Sequence, residues 1–138
     1  MSEWEDDRYC IACGERNPIG MKLVFTETES GLETKYAFPK EFQGYRDTVH
    51  GGMLALLLDE IMVNLPWKKY KKPVVSFDLR VKLRKPLKTG EEITARAFFV
   101  SDKGRIVRVR GEIVRQNGEL VAEGEAACMK VDTKDMKL

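Results

Sequence analysis

The stretch VHGGMLALLLDEIMVNLPW, residues 49–67, decides how this chain is read. Met53, Leu54, Ala55, Leu56, Leu57, Leu58, Ile61, Met62, Val63 and Leu65 follow one another with few interruptions. This run predicts a helix over about 52–65, closed by Pro66. Its apolar residues cover nearly the whole circumference, and a helix apolar on all sides is a buried one. Yet Asp59 and Glu60 sit in its middle. His50, the single histidine of the chain, and the pair Gly51-Gly52 stand at its entrance.

The flanks read as strands and turns. Residues 21–28 (MKLVFTET) and 32–38 (LETKYAF) form two strands around the turn Ser30-Gly31, and 39–48 is a loop containing Gly44. After the helix, WKKYKKP (67–73) reads as a basic loop. In VVSFDLRVKL (74–83), Phe77, Leu79, Val81 and Leu83 alternate with Asp78, Arg80 and Lys82, the clearest period-two strand in the chain. Further strands are expected over 93–100, 105–115 and 119–131. They are joined by Asp102-Lys103-Gly104 and by Asn117-Gly118, a strong hairpin signal. Residues 1–20 read as irregular and 132–138 as a frayed tail.

Two strands, one long buried helix and four strands with short turns indicate an α+β fold with an antiparallel sheet. The 138 residues fit a single domain, 1–138. One sheet wrapped on one helix leaves a sheet face and edge strands open. Pairing with a second copy would cover them.

Composition narrows the classes. A net charge of +2 gives no global basic character for nucleic acid. The start, MSEWEDDRYC, lacks the basic and apolar regions of a secretory leader, and the longest apolar run, 53–58, is too short to cross a membrane. A soluble, cytoplasmic protein is expected. Three cysteines argue against a disulfide framework.

On a helix, Asp59 and Glu60 point about 100° apart. Asp59 lies one turn from Ala55 and Val63 and is the better fit to a buried site; Glu60, one turn from Leu56 and Asn64, fits an interface or solvent edge. A dry, ionised carboxylate costs several kcal/mol unless it is paired or hydrogen-bonded. A cap or bridge within the fold would account for a lone acid. The entrance adds another reading: glycines permit close approach, and the first helical amides, free of internal partners, can polarise a carbonyl. An acid further along the helix would then serve as nucleophile or base.

Residues 49–62, VHGGMLALLLDEIM, resemble the segment from HGG to the acid in hot-dog-fold acyl-CoA thioesterases of the phenylacetate-degradation type. CIACGERNPIGMKLVF (10–25) resembles an N-terminal signature of that group. FDLRVKLRKPLKTGEE (77–92) resembles its central strand with the following Pro and Gly-Glu turn. The resemblance spans roughly 10–131 and implies a hot-dog fold, a sheet wrapped around one central helix. It implies thioester hydrolysis to free acid and coenzyme A, with no cofactor. Asp59 matches the catalytic carboxylate, nucleophile or general base. Gly51 matches the glycine whose amide polarises the thioester carbonyl, His50 the histidine that shapes the loop, and Gly52 supports the entrance. Active sites between subunits are implied, in a homodimer or homotetramer. Gln43, ahead of Asp47, is the polar residue of the preceding loop that would position the thioester or water. Ser76 is the polar contribution expected from the partner subunit.

Coenzyme A carries phosphates, which suit arginine. Arg84 and Lys85 are the first choices for them. For Arg80 and Lys82 a solvated strand face is an equal reading, and the lysines of 68–72 read as surface. Cys10 and Cys13 form a CxxC, but zinc wants four ligands, and Cys128 and His50 are distant and otherwise explained. The cysteines therefore read as structural, with no metal assigned. Two other readings compete with hydrolysis. One is a non-catalytic acyl-CoA-binding module; the other is a hot-dog hydratase or dehydratase, which would pair its acid with a catalytic histidine.

Overall fold

In the computed structural model, which describes residues 4–131, the apolar run forms one helix, α1 (Gly51–Tyr70), of 20 residues. Leu54, Leu57, Leu58, Ile61, Met62 and Leu65 are buried. Their i, i+3, i+4 spacing makes a single stripe against the sheet. Met53, Ala55, Leu56 and Val63, which complete the apolar circumference, are only half-buried within one chain. Burial on all sides is thus not reached by a single copy.

Pro66 does not end the helix as expected. It lies inside α1 and is buried, and the helix continues for one more turn, to Tyr70. The missing proline amide removes one backbone bond, while burial of the ring and the surrounding turns keeps the helix running. Lys71, in the left-handed region (φ 55, ψ 35), closes it by donating its N–H to the Trp67 carbonyl at 2.8 Å. Trp67, Lys68, Lys69 and Tyr70 are therefore a helix terminus and not a loop. Lys68 and Lys69 suit the negative end of the helix dipole. Lys130 lies 3.8 Å from the Tyr70 ring centroid and fastens this end to the sheet.

The sheet has six strands: β1 (Thr26–Glu27), β2 (Leu32–Ala37), β3 (Val74–Leu83), β4 (Glu92–Lys103), β5 (Ile106–Arg115) and β6 (Leu120–Lys130). All pairings are antiparallel, in the order β1-β2-β4-β5-β6-β3. A strand was expected over 21–28, but only its end joins the sheet. Further back, the Met21 and Leu23 amides donate to Ile11 and Ala12, so this backbone pins the N-terminal segment instead. That segment, expected to be irregular, is turn-rich and hydrogen-bonded. The expected tail, 132–138, lies outside the described residues.

Two glycines seat the helix on the sheet. Gly111 and Gly124 are directly paired across β5 and β6. A Cβ on Gly111 would lie 3.0 Å from Met62 Cγ, and one on Gly124 would lie 3.2 Å from Met62 Cε and 2.9 Å from the Arg80 carbonyl oxygen. The absent side chains let α1 approach the backbone closely.

β3 is an edge strand of the sheet. It is ten residues long and presents Phe77, Leu79 and Leu83 with 39–54% exposure. Its alternation is broken by a register shift between Ser76 and Asp78. Phe77 is the extra residue there. Ser76, not Phe77, consequently shares the helix-facing side with Leu79 and Val81, whose partners on β6 are Ala126 and Gly124.

Candidate active site

The helix entrance is built by a tied loop. Lys40–Phe42 form a short 3-10 turn, and Gln43 bridges to Val49. The His50 amide donates to the Phe42 carbonyl at 3.0 Å, and the Val49 amide to Leu87 at 2.8 Å. His50 is the N-cap of α1, and its Nδ1 accepts from the Gly52 amide at 2.9 Å. One ring nitrogen is thus committed to capping the helix entrance. The amides of Gly52, Met53 and Leu54 all have acceptors in His50. The Gly51 amide has no partner among the described residues, which leaves it as the helix's outward donor.

An open groove of about 270 Å³ lies at this end, lined by Gly51, Leu54, Leu83, Arg84, Lys85 and Pro86 among others. The structure therefore places the expected basic pair beside Gly51. Arg84 also donates to Glu123 at 3.2 Å. Gln43 Oε1 accepts from the Asp47 amide at 3.0 Å and from Lys40 Nζ at 3.3 Å, and Asp47 pairs with Lys40. Arg80 is not brought to this groove. It lies with Lys82 on the outer sheet face, in a cleft shared with Arg110, Glu123 and Glu125.

Asp59 is half-buried, about 100° round α1 from Glu60, and Ser76 Oγ donates to its Oδ1 at 2.7 Å. Ser76, expected as a polar contribution from the partner subunit, is hydrogen-bonded to Asp59 of its own chain. Cys128, the register partner of Ser76, completes this wall. Burial, then the Asp59 charge, pushes its thiol up to about 11. Asp59 and Gly51 are eight residues apart on one helix, roughly 12 Å along its axis. One carbonyl carbon cannot be within bonding reach of both. An acid and an amide of the same chain thus cannot act on one thioester.

The family model for the thioesterase superfamily matches residues 47–122, more than half of the chain. The chain belongs to the thioesterase superfamily. Among solved structures, it is similar to a phenylacetic acid degradation-related protein of Ralstonia eutropha JMP134, with 25% identity, a TM-score of 0.72, and coverage of 79% of this chain and 85% of that one. It is also similar to the E. coli PaaI protein of the phenylacetic acid degradation operon (16% identity, TM-score 0.75, 81% of each chain). A third likeness is to a mutant of the phenylacetic acid degradation protein PaaI from Thermus thermophilus (24% identity, TM-score 0.71, 79% of this chain and 93% of that one). The last two likenesses show the fold, which is the hot-dog fold. Comparison with curated protein sequences gives no match. No helix among the described residues is long and apolar enough to cross a membrane.

The superfamily match contains His50, Gly51, Gly52, Asp59, Ser76, Arg80, Arg84 and Lys85; Gln43 and Cys128 lie outside it. Also outside it are two residues that this thioesterase-superfamily chain sets against Glu60. Cys10 Sγ lies 3.6 Å from Glu60 Oε1, and Cys13 Sγ lies within 4.8 Å of a Glu60 carboxylate oxygen. Burial, with the neighbouring Glu60 and Cys10, holds the Cys13 thiol far above its ordinary range. Glu60, for which an interface or a solvent edge was expected, is half-buried and faces the N-terminal segment of its own chain. The signal that could have found this contact is the 100° offset from Asp59, which sends the two acids to different neighbours.

Proposed function

We propose that this chain is an acyl-CoA thioesterase whose active site is assembled from two copies. The observation that carries this reading is Asp59: a half-buried carboxylate, within the superfamily match, with one oxygen fixed by Ser76 at 2.7 Å. Asp59 acts as nucleophile or general base. As a base it takes a proton from water while the water oxygen bonds the acyl carbon, the C–S bond breaks and the coenzyme A thiolate takes up that proton. As a nucleophile it displaces the thiolate to form a mixed anhydride, which water then hydrolyses to the free acid, supplying the thiolate's proton and freeing Asp59. The Gly51 amide of the other copy, at the positive end of α1, receives the developing oxyanion. The separation of roughly 12 Å within one chain supports this division of labour.

The long apolar edge of β3 supports self-association there, since an unpaired edge of that length is a template for a second strand. Such pairing brings two copies of the Ser76–Asp59 wall side by side and covers Phe77, Leu79 and Leu83. Arg84 and Lys85 serve the coenzyme A phosphates beside Gly51. His50 and Gly52 hold the entrance, and Gln43 offers its amide donors to the thioester or the attacking water. The chemistry needs no cofactor and suits a cytoplasmic enzyme.

The test is thiol release from aryl and aliphatic acyl-CoAs of different lengths by wild type and Asp59→Asn. Turnover on at least one substrate, reduced about a hundred- to ten-thousand-fold in the variant, is expected. Tight binding of an acyl-CoA with no turnover by wild type would make the chain a binding module instead.

A further inference from the structure

The CxxC alone provides two ligands; the fold adds a third. Sγ of Cys10, Sγ of Cys13 and a carboxylate oxygen of Glu60 all lie within 4.8 Å of one another, and all three residues are half-buried. In a tetrahedral zinc site, neighbouring sulfur and oxygen ligands stand about 3.5–3.8 Å apart. The Cys10–Glu60 pair already lies at 3.6 Å.

The surroundings are those of a ligand set. The Ala12 and Cys13 amides point at Cys10 Sγ, at 3.4 and 3.5 Å, where they would stabilise a thiolate. The turn is closed by the Gly14 amide on the Cys10 carbonyl at 2.9 Å. A Cβ on Gly14 would lie 2.3 Å from the Cys10 nitrogen, so the tight CxxCG turn requires glycine. Asn64 Nδ2 donates to Glu60 Oε1 at 3.0 Å and orients the carboxylate, as outer partners of metal ligands do. Among the described residues, no lysine or arginine forms an ion pair with Glu60.

We propose that Cys10, Cys13 and Glu60 bind a thiophilic divalent cation, zinc by preference, with solvent at the fourth position. This departs from the reading of the spacing alone, which lacked a third ligand. Two thiolates and a carboxylate suit zinc and disfavour calcium or magnesium, which take oxygen ligands. The ion would staple the N-terminal segment to α1 one residue from Asp59. It takes no part in the hydrolysis proposed above, and the two proposals stand or fall separately.

The test uses the full chain, reduced, stripped with a chelator and titrated with Co²⁺. One equivalent should bind with a thiolate-to-cobalt charge-transfer band in the near ultraviolet, and Zn²⁺ should displace it. Cys10→Ser and Cys13→Ser should lose the band, Glu60→Gln should weaken binding at least about tenfold, and Cys128→Ser should leave both unchanged. Circular dichroism confirms that each chain is folded. A folded wild type that gives no band overturns the proposal, whatever the variants do. So does a band that survives Cys10→Ser or Cys13→Ser.

Discussion

Ser76 Oγ and Asp59 Oδ1 are 2.7 Å apart, joining the middle of α1 to β3 across a strand bulge. Were Phe77 an ordinary strand position and not the bulge residue, alternation would give Ser76 the face opposite to Leu79 and Val81. The bulge therefore aims the Ser76 side chain at the acid.

Ser76→Ala removes a hydrogen bond to a charged group, worth about 1.5–3 kcal/mol. On the thioesterase reading, kcat should fall roughly ten- to a hundredfold while KM changes little. Steady-state kinetics on the best acyl-CoA check this. An unchanged kcat would make Ser76 a strand residue without a role in positioning Asp59.

The Gly111–Gly124 pair sets the distance between helix and sheet. Gly124→Ala brings a methyl 2.9 Å from the Arg80 carbonyl oxygen and against Met62. Overpacking of this kind costs about 1–3 kcal/mol, and urea unfolding should show it as a lower midpoint at similar slope. A neutral result would mean that α1 is not seated on this pair.

Much of the fold was readable from local pattern. The β3 boundaries and the hairpin turns follow from period-two alternation and from Asn117-Gly118, both short-range signals. Pro66 misled because a proline inside a helix can be tolerated by burial, which local sequence does not display. The strand over 21–28 shrank because its backbone bonds go to residues 11 and 12, a tertiary choice. The placement of His50 and Gly51 at the helix entrance and of Asp59 along α1 was legible from the local pattern. The aim of Ser76 was not, because a bulge inverts parity. Nor was the meeting of Glu60 with Cys10, fifty residues away.

Cys128 links stability to alkaline pH. Its thiol is held up to about 11 in the folded chain against an ordinary 9.0, so the folded state keeps a proton that the unfolded chain releases. The stabilisation is complete below pH 9 and is lost as pH rises from 9 to 11, amounting to at most roughly 3 kcal/mol. Thermal melts at about pH 8 and about pH 10.5 should show a smaller alkaline drop for Cys128→Ala than for wild type. Equal drops would place the alkaline sensitivity elsewhere.

The shared site has the most direct test in two complementary defects. Asp59→Asn removes the acid. Gly51→Pro removes the donor amide at a first helical position, where proline is tolerated, after an extended His50 (φ −62, ψ 133) that suits it. Among the described residues, a Cβ there would meet only a methyl of the exposed Leu83, at 2.7 Å. Each homomeric variant should be nearly inactive. Co-expressed with different tags and purified through both, the heterodimer carries one site with two intact groups and one with neither. Acyl-CoA hydrolysis by that species should recover to about half of wild type per dimer. A doubly tagged species as inactive as its parents would show that Asp59 and Gly51 do not meet across two copies, and would contradict the proposed active site.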